Sequence, residues 1–109
     1  MDFYTYQTEA IKTASPCGFD IRNAALGLCG EAGEFADLVK KFVYQNHDLD
    51  TEHLKRELGD IMWYMALAAT ILGCDLNEIA ETNIAKLRAR YPSGHFEAQK
   101  SKVRKEGDI

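Results

Sequence analysis

Apolar residues recur in a four-three-four-three register along two stretches of this chain, Leu28, Ala32, Phe35, Val39, Phe42 and Leu54, Leu58, Ile61, Met65, Ala68, Leu72. At about 100° per residue this register draws one stripe down a helix, so each stretch reads as a helix seating its stripe against a neighbour in a bundle. An acidic pair at the spacing of one helical turn flanks each stripe: Glu31 and Glu34 on the first, Glu57 and Asp60 on the second, with 22 residues between the pairs. Residues three apart share a helical face, so two such helices facing each other gather four carboxylates. Like charges about 4 Å apart repel by roughly 4 kcal/mol at an effective dielectric of about 20. The cluster needs a counter-charge, and a hard, oxygen-seeking cation is the natural one.

Helical periodicity is the sole regular pattern, and the two prolines, Pro16 and Pro92, bracket the part that carries most of it. The expected fold is therefore all-α, a four-helix bundle. A first helix starts at Asp2 and breaks at Ser15-Pro16-Cys17-Gly18. A second begins after Asp20 or Asn23 and runs to about Tyr44. A third opens at Asp50 or Thr51 and closes at Gly73, which suits a left-handed cap. A fourth opens with Asp75-x-x-Glu78, a capping-box pattern with Asp in the first position, and stops at Tyr91-Pro92. Residues 1–92 form one helical domain on this pattern, and 93–109 are expected to be a polar tail, mobile unless a partner subunit holds it.

Composition removes several function classes. A net charge of −4 with acidic residues spread along the chain leaves no basic footprint for nucleic acid. Three cysteines without a Cys-x-x-Cys pair argue against a disulfide framework or a zinc site, and point to reduced thiols in a cytoplasmic protein. The first residues lack the basic-then-apolar pattern of a secretory signal. The apolar run from Ile61 to Cys74 is shorter than the roughly 20 residues of a membrane span.

A pair of acidic helix turns is usually a solvated face. Here neither Glu31 nor Glu34 has a lysine or arginine three or four residues away, Lys41 lying a further turn on. Each pair also encloses a glycine, and Gly27, Gly30 and Gly33 recur every third residue. An interior glycine costs about 1 kcal/mol relative to alanine, which predicts a close backbone approach at these positions and at Gly59. A di-iron bundle would need Glu-x-x-His elements, and the chain has none. An oxygen-only set favours Mg²⁺ or Mn²⁺, and His47, His53 and His95 read as surface residues rather than ligands. On the fourth helix, Asn83 lies at the edge of the stripe Leu76, Ile79, Ala80, Ile84, Leu87, with Lys86 and Arg90 on the following turns. An asparagine there either ties helices together or meets a ligand, and a lysine one turn on can neutralise phosphate.

The string Gly27-Leu-Cys-Gly-Glu-Ala-Gly-Glu34, then Glu57-Leu-Gly-Asp60, then Asn83-x-x-Lys86 with Arg90-Tyr91-Pro92, resembles the MazG-type nucleotide pyrophosphohydrolases of the all-α NTP pyrophosphatase superfamily. The resemblance spans roughly residues 3–96, including Tyr6-Gln7. It implies a Mg²⁺-dependent enzyme, with Mn²⁺ as the alternative ion, that splits a nucleoside triphosphate into the monophosphate and pyrophosphate. House-cleaning of modified nucleotides fits a chain with a single copy of the motif. The resemblance further implies Glu31, Glu34, Glu57 and Asp60 as metal ligands, Glu34 or Glu31 as the group that helps deprotonate water, and Tyr64, Asn83 and Lys86 as nucleotide contacts. Phe3, Tyr6, Gln7 and Trp63 are candidates for a base pocket, although helical aromatics more often serve core or interface. The alternative is a non-catalytic helical assembly module that retains the fold. No charge occurs from Ile61 to Leu72, and Trp63, Ala66 and Thr70 lie opposite the stripe. An apolar second face predicts a homodimer, or a dimer of dimers.

Overall fold

Aspartates cap the first three helices of the computed structural model, which describes residues 1–104. Asp2 accepts from the Thr5 amide (2.8 Å) to start α1, Phe3–Ile11. Asp20 accepts from the Arg22 amide (2.8 Å) at α2, Ile21–Tyr44, and Asp50 from the His53 amide (3.0 Å) at α3, Thr51–Ile71. Each satisfies a helix N–H that has no intrahelical partner. At the far end of α3, Gly73 adopts φ +77°. Its amide bonds the Thr70 carbonyl (3.1 Å) and the Cys74 amide reaches back to Ala69 (3.0 Å), the two bonds of a Schellman cap. Helix α4 spans Leu76–Arg90 and α5 spans Ala98–Lys102. Among the described residues all regular structure is helical, as expected, and no helix is long and apolar enough to cross a membrane.

The chain divides into two compact units, Met1–Leu76 and the residues from Asn77 onward. In the second, Tyr91 packs against Phe96 with ring centroids 5.5 Å apart, and Ser93 donates to Glu97 (3.0 Å) just ahead of α5. That short helix lies in the segment expected to be a tail, whose last residues, 105–109, lie outside the described residues.

In the first unit α2 and α3 pair, and α1 packs on α3. The α2–α3 contact corrects the expected register by one residue. Ala24 and Leu67 are fully buried, Gly27 lies under the ring of Tyr64, and Glu31 meets Glu57 and Asp60. The contact therefore follows Gly27, Glu31 and Leu38 on α2 and Glu57, Tyr64 and Leu67 on α3. Each position precedes a member of the expected stripe, a rotation of about 100°. The stripe itself is left partly open: Leu58 is 49% exposed, Met65 39%, Leu72 68%, Val39 37% and Phe42 48%.

The second correction concerns the face of α3 that was expected to lack a neighbour in the chain. Helix α1 covers it. Ala66, Ala69 and Leu76 form a buried cluster with Tyr6, Ala10 and Cys74 packed against it. Trp63 donates its indole N–H to the Ala10 carbonyl (3.1 Å) and the Thr13 hydroxyl (2.8 Å). Gln7, buried in α1, clamps the end: its amide N donates to Thr70 Oγ1 (2.9 Å) and the Cys74 carbonyl (3.1 Å), while its oxygen accepts from the Leu76 amide (2.8 Å). Nothing approaches within 4 Å of where a side chain would stand at Gly30, Gly33 or Gly59, so Gly27 alone of these four meets the expected close approach.

Candidate metal centre

Helix spacing at Gly27 determines what the carboxylates can reach. With no side chain between them, the α2 backbone and the Tyr64 ring come into contact, and one turn further along α2 Glu31 arrives opposite α3. Glu57 and Asp60 project from a single turn of α3 on the side that faces it. One ligand atom from each of Glu31, Glu57 and Asp60 lies within 4.8 Å of the other two. Three carboxylates gathered this closely could together hold one hard divalent cation.

Burial differs across the triad. Glu57 is buried, with 8% of its side chain exposed, whereas Glu31 is half-buried and Asp60 exposed. Within Glu57, Oε1 lies 3.1 Å from Nε2 of His53, and Oε2 is buried without a hydrogen-bond partner. Such an oxygen carries its full desolvation cost, of order 1–3 kcal/mol and more for a charged group, and a cation in the triad removes it. The Glu31 carboxyl is held above its ordinary value of 4.5, first by burial, then by the neighbouring carboxylates of Glu57, Asp60 and Glu34. Without a cation, three carboxylates this close favour keeping a proton. An oxygen-only donor set with an unsatisfied buried oxygen fits a hard divalent ion.

Glu34, the fourth expected ligand, is exposed and stands outside the triad. It lines an adjoining cleft of about 380 Å³ between α2 and α3, together with Gly30, Gly33, Lys41, His53 and Glu57. Lys41 is held at 2.8 Å from Asp37 on that wall. Tyr64 is half-buried and edge-on to Trp63, with ring centroids 5.0 Å apart and planes at 84°. On α1, burial and then the charge of Asp60 raise the Tyr6 phenol above its ordinary value. Asn83 is exposed and Lys86 half-buried, one turn apart on α4 in the second unit.

Three further residues take partners beside this site. Gln7 and Trp63, candidates for a base pocket, spend their polar groups fastening α1 to the end of α3. His53, expected at the surface and not as a ligand, keeps 45% of its side chain exposed and stands outside the triad, yet its Nε2 reaches Glu57. The signal that could have found it is its position four residues before Glu57, on the same helical face.

A family model described as the MazG nucleotide pyrophosphohydrolase domain matches residues 19–95, a span that includes all four acidic residues, Asn83 and Lys86. The Gene 37 protein of Mycobacterium phage L5 is 40% identical over 73 residues, which are 63% of this chain and 64% of that protein. The chain therefore spans somewhat less than two thirds of that relative's length. No solved structure matches the chain.

Proposed function

Since the chain belongs to the MazG nucleotide pyrophosphohydrolase domain family, we propose that it hydrolyses a nucleoside triphosphate to the monophosphate and pyrophosphate with Mg²⁺, or Mn²⁺ in its place. The observation that carries the metal requirement is the buried, partnerless Glu57 Oε2 within a triad of carboxylates. Glu31, Glu57 and Asp60 would hold the ion. Bound there, it supplies positive charge for the triphosphate oxygens and lowers the pKa of a water.

The remaining work falls to side chains. Glu34 stands on the cleft wall outside the triad, where a carboxylate can take the proton of an attacking water, and Glu31 is the other carboxylate on that turn suited to do so. Gly30 and Gly33 contribute no side chain to the α2 wall of the cleft, which leaves room beside Glu34 for a nucleotide. By analogy with the family, Tyr64, Asn83 and Lys86 would contact the nucleotide, with a ring, an amide and an ammonium to offer. Modified nucleotides are the proposed substrates and the cytoplasm the proposed compartment.

The open apolar stripe supports self-assembly. In an antiparallel pair the stripes of α2 and α3, each one residue beyond the contact, lie on the same side of the pair, opposite α1. Val39, Phe42, Leu58, Met65 and Leu72, each more than a third exposed, would then share one apolar side. A second copy of the chain would cover it, giving a homodimer or a dimer of dimers.

Pyrophosphate release measured across ordinary and modified nucleotides, with Mg²⁺ and with chelator, tests the function. Release only with the ion supports it. Ion-induced stabilisation with no release for any nucleotide would favour a non-catalytic binding module instead.

A further inference from the structure

We propose that His53 is a positioning residue of the metal centre: its imidazole holds one oxygen of Glu57 so that the other is presented to the cation. The inference rests on the metal reading of the Glu31, Glu57 and Asp60 triad and adds to it a residue that binds neither ion nor substrate.

The argument begins at the start of α3. Asp50 accepts from the backbone amide of His53 at 3.0 Å, so the residue is locked into the first turn of a capped helix. From there its side chain lies over that of Glu57, four residues on. Nε2 meets Oε1 at 3.1 Å. A carboxylate is planar, so holding Oε1 and burying the side chain to 8% exposure leaves Oε2 little freedom. Oε2 is the one buried side-chain oxygen or nitrogen without a partner among the described residues. Hydrogen bonds of this kind orient ligating carboxylates and raise metal affinity by about 10- to 100-fold. His53 itself stands outside the group whose atoms gather within 4.8 Å, which assigns it support rather than ligation.

The test is Mn²⁺ binding by the full chain, followed by the loss of the free-ion electron paramagnetic resonance signal, so that no turnover is needed. His53→Ala should weaken binding by about 10- to 100-fold, and His53→Gln, whose side-chain amide can still donate, should recover most of the loss. Glu57→Gln should abolish high-affinity binding. Circular dichroism of each variant separates a lost centre from a lost fold. The proposal is overturned if His53→Ala binds Mn²⁺ as tightly as the wild type, or if Gln and Ala at this position lose equally. A wild type that leaves the Mn²⁺ signal unchanged removes the metal centre itself, a failure distinct from that of His53 alone.

Discussion

Gly27 lies directly under the ring of Tyr64, so close that a β-carbon on the glycine would stand inside the van der Waals envelope of the ring. This contact brings α2 near enough to α3 for Glu31 to share a site with Glu57 and Asp60. Gly27→Ala must push the helices apart or turn the ring. Overpacking of this kind costs about 1–3 kcal/mol, and the triad should loosen with it. Gly30, with open space around it, should behave oppositely: Gly30→Ala relieves a helix-interior glycine and gains up to about 1 kcal/mol. Urea denaturation of the two variants checks the contrast, and equal effects would remove the special role of Gly27.

Gln7 should prove a clamp and not a substrate contact. Gln7→Leu leaves the buried amide of Leu76 without its acceptor and Thr70 without its donor. One unsatisfied buried group costs about 1–3 kcal/mol. Stability should fall by that order while KM for the nucleotide, measured well below the melting temperature, stays unchanged. A raised KM at intact stability would return Gln7 to the base pocket.

Neutralising the triad should separate folding from metal binding. Glu57→Gln removes a buried charge, so the metal-free variant should be at least as stable as the wild type. In the wild type, Mg²⁺ should raise the melting temperature through preferential binding to the native state. That increment should vanish in Glu57→Gln, as should pyrophosphate release. Thermal melts with Mg²⁺ and with chelator provide the comparison.

The raised pKa of Glu31 has a definite sign in pH dependence. A group that binds its proton more tightly when folded adds stability that is fully present below its unfolded value, ordinarily 4.5, and lost as pH rises through the folded value. Metal-free protein should therefore lose stability on going upward from that pH. Metal binding needs the carboxylates ionised, so the stabilisation from Mg²⁺ should grow over the same range. Glu31→Gln should flatten the metal-free slope. Equilibrium unfolding across a pH series with chelator and with Mg²⁺ measures both.

An acidic substitution in the open stripe should break the assembly. Leu58→Glu or Phe42→Glu places charge on a face about half exposed in the single chain, so the fold survives and the contact with a second copy does not. Sedimentation equilibrium should find the wild type as a dimer or tetramer and the variants shifted to monomer. A monomeric wild type at micromolar concentration would defeat the assembly proposal.

Local signals carried much of this structure. The capping aspartates, Asp2, Asp20 and Asp50, and the left-handed Gly73 act within a few residues of themselves, so the starts of α1, α2 and α3 and the end of α3 were legible from the chain alone. Helix α1, however, stops at Ile11, short of the break expected at Ser15, and α5 was not foreseen. The acidic pairs were legible for the same reason, since the three-residue spacing makes each a same-face pair whatever surrounds it. The family was legible through the combined spacing of those pairs with Asn83 and Lys86.

Packing between helices was decided only in three dimensions. Periodicity assigned the contact to the most apolar stripe, but the actual contact runs one residue earlier, through Glu57 and Tyr64. Gly27 admits the Tyr64 ring at that contact, and the carboxylates of Glu31, Glu57 and Asp60 come together along the same line. No local pattern could say that α1 would cover Trp63 and Ala66, because that contact joins residues about 50 positions apart. Nor could the sequence separate Glu34 from Glu31 or bring His53 onto Glu57. Residue types and spacing determined that a carboxylate site exists, while tertiary structure decided which carboxylates share it, because distances between helices depend on what lies between them.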